Sequence, residues 1–286
     1  MAEAQSGYYV PHGSHWPIIG SVGLSSGVIG AAGYLQGMDW GVYVMAIGIA
    51  ITLYMVFGWF GTVIRESVAG YYNDKVDLSF RWGMIWFIFS EVMFFAAFFG
   101  ALFYARVLSV PWLSGEDPLT SRYIWDGIML NWPTAGPGNA ALEFEPMGAW
   151  PLPTINTLIL LTSGLTITIA HHALKAAERV KLVVFMWATV LLGLVFLSFQ
   201  AYEYYEAYAH LNLTLGTGIY GSTFFMLTGF HGMHVMLGTI MLIVITLRCM
   251  AGHFSADNHF GFEAVAWYWH FVDVVWLGLY VFVYII

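Results

Sequence analysis

Five ionisable residues stand inside long apolar runs, where charge is costly and is usually functional or paired. Glu91 lies in Ile88-Phe89-Ser90-Glu91-Val92-Met93-Phe94, His231 and His234 in a second run, and His270 and Asp273 in a third. Read as membrane helices, these runs place Glu91 at roughly 16 Å depth, His234 at roughly 20 Å, His270 at roughly 14 Å and Asp273 at roughly 18 Å. That agreement defines a polar layer near the middle of a membrane. His231 and His234 share a helix face by their i,i+3 spacing, as do His270 and Asp273. Two chemistries are open to such a set. One is a haem or metal site, which needs ligands converging on a point. The other is hydrogen bonding between packed helices, and this is the expectation. Glu91 is too short to reach an interface, so it is expected to bond His234 in preference to His231, one turn away.

Other polar groups sit nearer the ends of the runs. Glu203 and Glu206, among Tyr202, Tyr204 and Tyr205, read as interfacial acids, with a proton-exit role as the alternative. His171 and His172 precede Lys175 at a helix C-terminus, where cations are favoured, and read as interfacial. Gly20, Gly23, Gly27 and Gly30 form a stripe that permits close helix approach. With no strand before it, the stripe is not a phosphate loop. Cys249 stands alone among 286 residues, so it has no intrachain disulfide partner and reads as a small apolar residue near a helix end.

The elements that carry these residues are legible from composition. Hydrophobic residues make up 59% of the chain and charged residues 9%, against about 25% charged in a soluble domain. The formal charge of −8 and the absence of a basic cluster give nucleic acid no electrostatic purchase. Seven apolar stretches reach the ~20 residues that a bilayer requires, at about Trp16–Leu35, Gly41–Ile64, Phe80–Leu108, Leu152–Leu174, Val183–Ala207, Gly218–Leu247 and Gly261–Tyr284. Because the backbone must satisfy itself in lipid, these are helices, and the chain reads as a single all-α, polytopic membrane domain over residues 1–286. One long loop, about 109–151, carries Pro118, Pro133, Pro137, Pro146 and the acids Glu116, Asp117, Asp126, Glu143 and Glu145. Arg65, Lys75, Arg81, Lys175, Arg179, Lys181 and Arg248 fall on one side and Arg106 and Arg122 on the other. This puts the N-terminus in the cytoplasm and the C-terminus and long loop on the far, periplasmic side. The first sixteen residues have no Lys or Arg, so the first span is expected to stay in the mature protein rather than act as a secretory signal.

Several stretches resemble subunit III of the haem–copper cytochrome c oxidases. They include Val63-Ile64-Arg65-Glu66-Ser67, the run around Glu91, Gln200-Ala201-Tyr202-Glu203-Tyr204-Tyr205-Glu206, and Thr228-Gly229-Phe230-His231-Gly232-Met233-His234. The most specific is His259-Phe260-Gly261-Phe262-Glu263-Ala264-Val265-Ala266-Trp267-Tyr268-Trp269-His270-Phe271-Val272-Asp273-Val274-Val275-Trp276. The resemblance implies two N-terminal helices separated by a V-shaped, phospholipid-filled cleft from a five-helix bundle. It implies a non-catalytic subunit in a bacterial cell membrane that supports the stability and proton uptake of subunit I during proton-pumping reduction of oxygen. This chain would hold no cofactor or metal and no catalytic residue, the haems and copper lying in partner subunits I and II. Glu91 matches the family's carbodiimide-reactive carboxylate, and Trp59 and Arg248 match its lipid contacts. Two features depart from the pattern: the loop is longer than in the compact mitochondrial form, and Val68-Ala69-Gly70-Tyr71-Tyr72-Asn73 lacks the histidines of some members. The competing functions are a quinol-oxidase or nitric-oxide-reductase-associated relative, a haem protein using His231, His234 and His270, and a proton transporter using Glu91.

Overall fold

The computed structural model describes residues 8–10, 13–117, 119, 123, 129–139 and 142–286. Pro118, Arg122 and Asp126 of the long loop lie outside them. Among the described residues, seven helices are long and apolar enough to cross a membrane. The backbone divides into two units, Met1–Phe80 and Arg81–Ile286.

The first unit is built on α1 (Trp16–Leu35) and α2 (Trp40–Val68). They form an antiparallel hairpin that turns at Gly37, whose φ of 75° suits a residue without a side chain. The glycine stripe is the seam of this hairpin. Gly23 faces Thr52, Gly30 faces Met45, and Gly48 of α2 lies against the backbone of Gly27. A Cβ at Gly48 would collide with that backbone, so the helices meet at main-chain distance, as small residues permit in lipid. The Trp16 indole closes the open end, packing over Gly58 and donating to Thr62 Oγ1 at 3.2 Å.

α3 starts at Asp74, ahead of the expected Phe80. Asn73 Oδ1 accepts the Val76 N–H at 3.2 Å, and Asp74 and Asp77 suit the positive end of the helix dipole. At its other end α3 (Asp74–Phe103) runs on in wide turns over Tyr104–Ser109 and Trp112–Glu116. The expected end at Leu108 is therefore corrected to Glu116. Turns of the i→i+5 kind carry the chain past Pro111, whose missing N–H would break a regular helix.

The second unit packs α3 with α4 (Leu152–Lys175), α5 (Arg179–Ala209), α6 (Gly218–Met250) and α7 (Phe260–Leu279), whose last turn, Tyr280–Ile285, is again wide. α4 and α5 lie antiparallel with small residues between them, and the Thr166 and Thr189 hydroxyls are 2.8 Å apart. Trp269, Trp276, Phe196, Phe224, Leu160 and Met186 fill the interior, each less than 2% exposed. The Trp269 ring lies against Gly193 of α5 and Gly238 of α6, where no side chain competes for the space. α3 joins this bundle through large side chains, with Phe95 meeting Phe271 and Phe87 stacking on Tyr268.

The described part of the long loop folds onto the start of α6. The Thr134 and Ala135 carbonyls accept from Tyr220 and Ile219 N–H at 3.2 and 3.4 Å. Trp132 and Phe144 pack on Tyr220. The loop thus satisfies helix-end donors that have no partner within their own helix.

Candidate functional site

The polar residues of the second unit form separate groups. In the first, α3 brings Glu91 to α6, and Glu91 Oε2 lies 3.0 Å from His234 Nε2. His234 Nδ1 donates to the Phe230 carbonyl, one turn back on its own helix, at 2.6 Å. A carbonyl can only accept, so the Nδ1 proton is committed. One further proton must then lie between Nε2 and the carboxyl oxygen, on whichever atom carries it. Phe95 and Tyr268 enclose the imidazole, with ring centroids 5.0 and 6.4 Å away. The side chains are 21% and 7% exposed for Glu91 and His234, so solvent reaches the carboxyl only in part. The expected pairing of Glu91 with His234 is present, and it ties α3 to α6.

His231 is fully buried and turns the other way. Its Nε2 donates to the Val272 carbonyl of α7 at 3.1 Å, and its ring sits between Phe196 and Trp276. His231 and His234 share a face, yet they bond different helices. His270 makes a third contact, with Nε2 3.4 Å from Thr168 Oγ1 of α4. The three histidines expected in one layer point to three partners, not to a common point, and the geometry is that of helix packing. Asp273, next to His270, is 8% exposed and its Oδ1 has no hydrogen bond. Two indoles of α7 also bond to hydroxyls of α4: Trp269 donates to Ser163 Oγ at 2.8 Å and Trp276 to Thr157 Oγ1 at 3.0 Å.

Glu203 corrects one expectation. It is fully buried, not interfacial, and Tyr284 donates to its Oε1 at 2.5 Å. Glu206 is partly exposed, as an interfacial acid would be. The signal lay in the stripe Phe196, Gln200, Glu203 and Ala207, all buried on one face of α5. The neighbouring tyrosines mask it, because Tyr202 and Tyr205 do face outward.

An ionic cluster closes the end of the bundle that carries Lys175 and Arg179. Arg81 pairs with Glu263 Oε2, while Glu263 Oε1 lies 3.3 Å from His259 Nε2 and 3.5 Å from His171 Nε2. Among the described residues, His171, His259 and Glu263 are the group whose three ligand-type atoms lie within 4.8 Å of one another. The Arg81 guanidinium already neutralises the carboxylate they would share. His171 is therefore partly buried beside the Arg81–Glu263 ion pair rather than at a solvated interface.

The two expected lipid contacts lie in different units. Trp59 projects from α2, 51% exposed and stacked on Phe60. Arg248, in the last turn of α6, holds its guanidinium 4.4 Å from the Phe254 ring centroid, with Nε unbonded. In the first unit, the Arg65-Glu66-Ser67 stretch has its own polar centre. Glu66 accepts from Tyr72 at 2.7 Å and from Tyr9 at 3.3 Å. Burial and the bonded carboxylate raise the Tyr72 phenol above the ordinary tyrosine range.

Comparison with known proteins gives the same reading from end to end. The family described as "Cytochrome c oxidase subunit III" matches residues 6–121 and 124–286. Cytochrome c oxidase subunit 3 of Arabidopsis thaliana is 42% identical over 286 residues, covering 99% of this chain and 98% of that protein. The Marchantia polymorpha protein of the same name is 43% identical over 272 residues, covering 95% and 93%. The Drosophila melanogaster protein is 42% identical over 272 residues with the same coverage. With seven apolar helices, the motifs around Glu91, His231 and His270, and a match that runs nearly the full length of both partners, this chain belongs to the cytochrome c oxidase subunit III family.

Proposed function

We propose that this chain is the non-catalytic subunit III of a cytochrome c oxidase in a bacterial cell membrane. In that complex, partner subunits I and II carry the haems and copper and reduce oxygen to water while pumping protons. The observation that carries the reading is the family match over residues 6–121 and 124–286, which runs through both units. The geometry supports a structural role, since Glu91, His234, His231, His270 and Glu203 spend their bonds on neighbouring helices. This chain supplies a scaffold that keeps subunit I stable and its proton uptake running. The N-terminus faces the cytoplasm, because Lys and Arg gather on that side of the helices.

Phospholipid is the second ligand class. Trp59 is an exposed indole suited to headgroup level, and Arg248 offers a guanidinium fork suited to a phosphate. Each meets lipid at its own unit's surface.

An affinity-tagged chain expressed in its host membrane tests the proposal. It is expected to carry haem-containing and copper-containing partner subunits, cytochrome c oxidase activity and bound phospholipid seen by native mass spectrometry. A stable, monodisperse chain free of haem–copper partners would overturn the assignment, and oxidation of quinol in place of cytochrome c would redirect it.

A further inference from the structure

The Asp273 carboxyl group, on the α4 side of α7, has no bonding partner among the described residues. Asp273 stands at the middle of the span Phe260–Ile285, about 20 Å from one end and about 18 Å from the other. Its Oδ1 is enclosed without a donor, and among the described residues no hydrogen bond or ion pair reaches the carboxyl group. Gly164 of α4 opens a notch beside it. A Cβ there would lie 2.9 Å from Asp273 Oδ2 and 3.6 Å from His270 Nδ1, so any larger residue would crowd the pair. Leu161 and Leu165 flank Gly164 along α4 and Val274 follows Asp273 on α7, and they are 43%, 60% and 67% exposed.

These features together select the occupant. Headgroups lie about 15 Å from the middle of a bilayer, and acyl chains carry no donor. A carboxyl group at that depth needs a partner from protein. The core indoles of this bundle each have one, as Trp269 has in Ser163 and Trp276 in Thr157. We propose that the α4–α7 face around Asp273 and His270 docks a transmembrane helix of a partner subunit, which brings a hydrogen-bond donor to Asp273. This rests on the oxidase-subunit reading and adds the face that the partner uses.

The test places a photo-crosslinking amino acid at Val274 of the tagged chain within the whole complex. The expected result is a covalent product with a co-purifying oxidase subunit. A product with lipid alone, while haem–copper subunits still co-purify, overturns the docking face and leaves the function standing. Failure of those subunits to co-purify overturns the function and the docking face with it. As a second measurement, Asp273→Val removes the acceptor at similar bulk and is compatible with helix insertion. It is expected to weaken retention of the chain on the complex about tenfold, whereas Asp273→Asn keeps an acceptor oxygen and is expected to retain it. Equal retention of Asp273→Val and the unaltered chain would overturn the proposal.

Discussion

Replacing Glu91 separates the two chemistries open to a partly buried carboxyl group. In Glu91→Ala the imidazole keeps its Nδ1 bond to Phe230 at 2.6 Å but loses the 3.0 Å partner on Nε2. His234 is 7% exposed, so water replaces that partner poorly. A side-chain bond between membrane helices is worth about 1–2 kcal/mol, and an orphaned buried acceptor costs a similar amount. Loss of the pair should therefore loosen α3 from α6 by about 1–2 kcal/mol. Glu91→Gln keeps the shape and still offers an N–H to Nε2, so its cost should be a few tenths of a kcal/mol, about what a benign substitution carries. The assay is release of the subunit from the purified complex on warming, followed by native electrophoresis, with proton pumping measured beside oxygen consumption. The expected order is unaltered chain, then Gln close behind, then Ala. If Gln and Ala destabilise equally, the bond does not depend on a donor at this position and the shared-proton argument fails. If Glu91→Gln assembles normally yet stops pumping while oxygen consumption continues, the carboxyl group is part of the proton path and the structural reading is wrong.

Three other perturbations probe separate parts of the molecule. Gly48→Val should part the α1–α2 hairpin, because its side chain would enter the Gly27 backbone; an engineered disulfide across the hairpin should form in the unaltered chain and fail in the variant. Ser163→Ala should cost about 1–2 kcal/mol in the release assay by leaving the Trp269 indole N–H buried without an acceptor, and Ser163→Thr should restore part of it. Tyr72 should ionise above the ordinary tyrosine value of 10.0, since burial and the Glu66 bond hold its proton. Because the folded value is raised, that bond's stabilisation is complete at neutral pH and is lost only as pH climbs through the raised value. An alkaline absorbance titration in which Tyr72→Phe loses no late-titrating component would refute this.

The agreement between sequence and structure varies with the kind of signal. α1 occupies Trp16–Leu35 as the hydropathy pattern implies, and α4 and α6 start at Leu152 and Gly218 as expected. Long apolar runs admit one backbone solution in lipid, which makes them legible one segment at a time. Other ends ran past the expected limits. α2 continues through Arg65 and Glu66 to Val68, and α5 begins at Arg179 rather than Val183. Charge marks the edge of the hydrocarbon, but the helix persists into the interface, where its hydrogen bonds are still worth keeping. The glycine stripe of α1 also reads directly as a contact surface, because a face without side chains has little other use.

Depth is legible along the chain alone, since it follows from distance along a helix of known rise. Glu91 could therefore be paired with His234 before either helix was placed. Which way each helix turns is settled by packing in the folded bundle. Rotation of α7 sends His270 and Asp273 toward α4 and leaves Val272 to receive His231. Rotation of α5 buries Glu203 against Tyr284 while its neighbours Tyr202 and Tyr205 face outward. Helices that are apolar on every side carry almost no amphipathic signal, so their rotation is set by packing: where Gly193 and Gly238 admit the Trp269 ring, and where Ser163 and Thr157 meet an indole N–H.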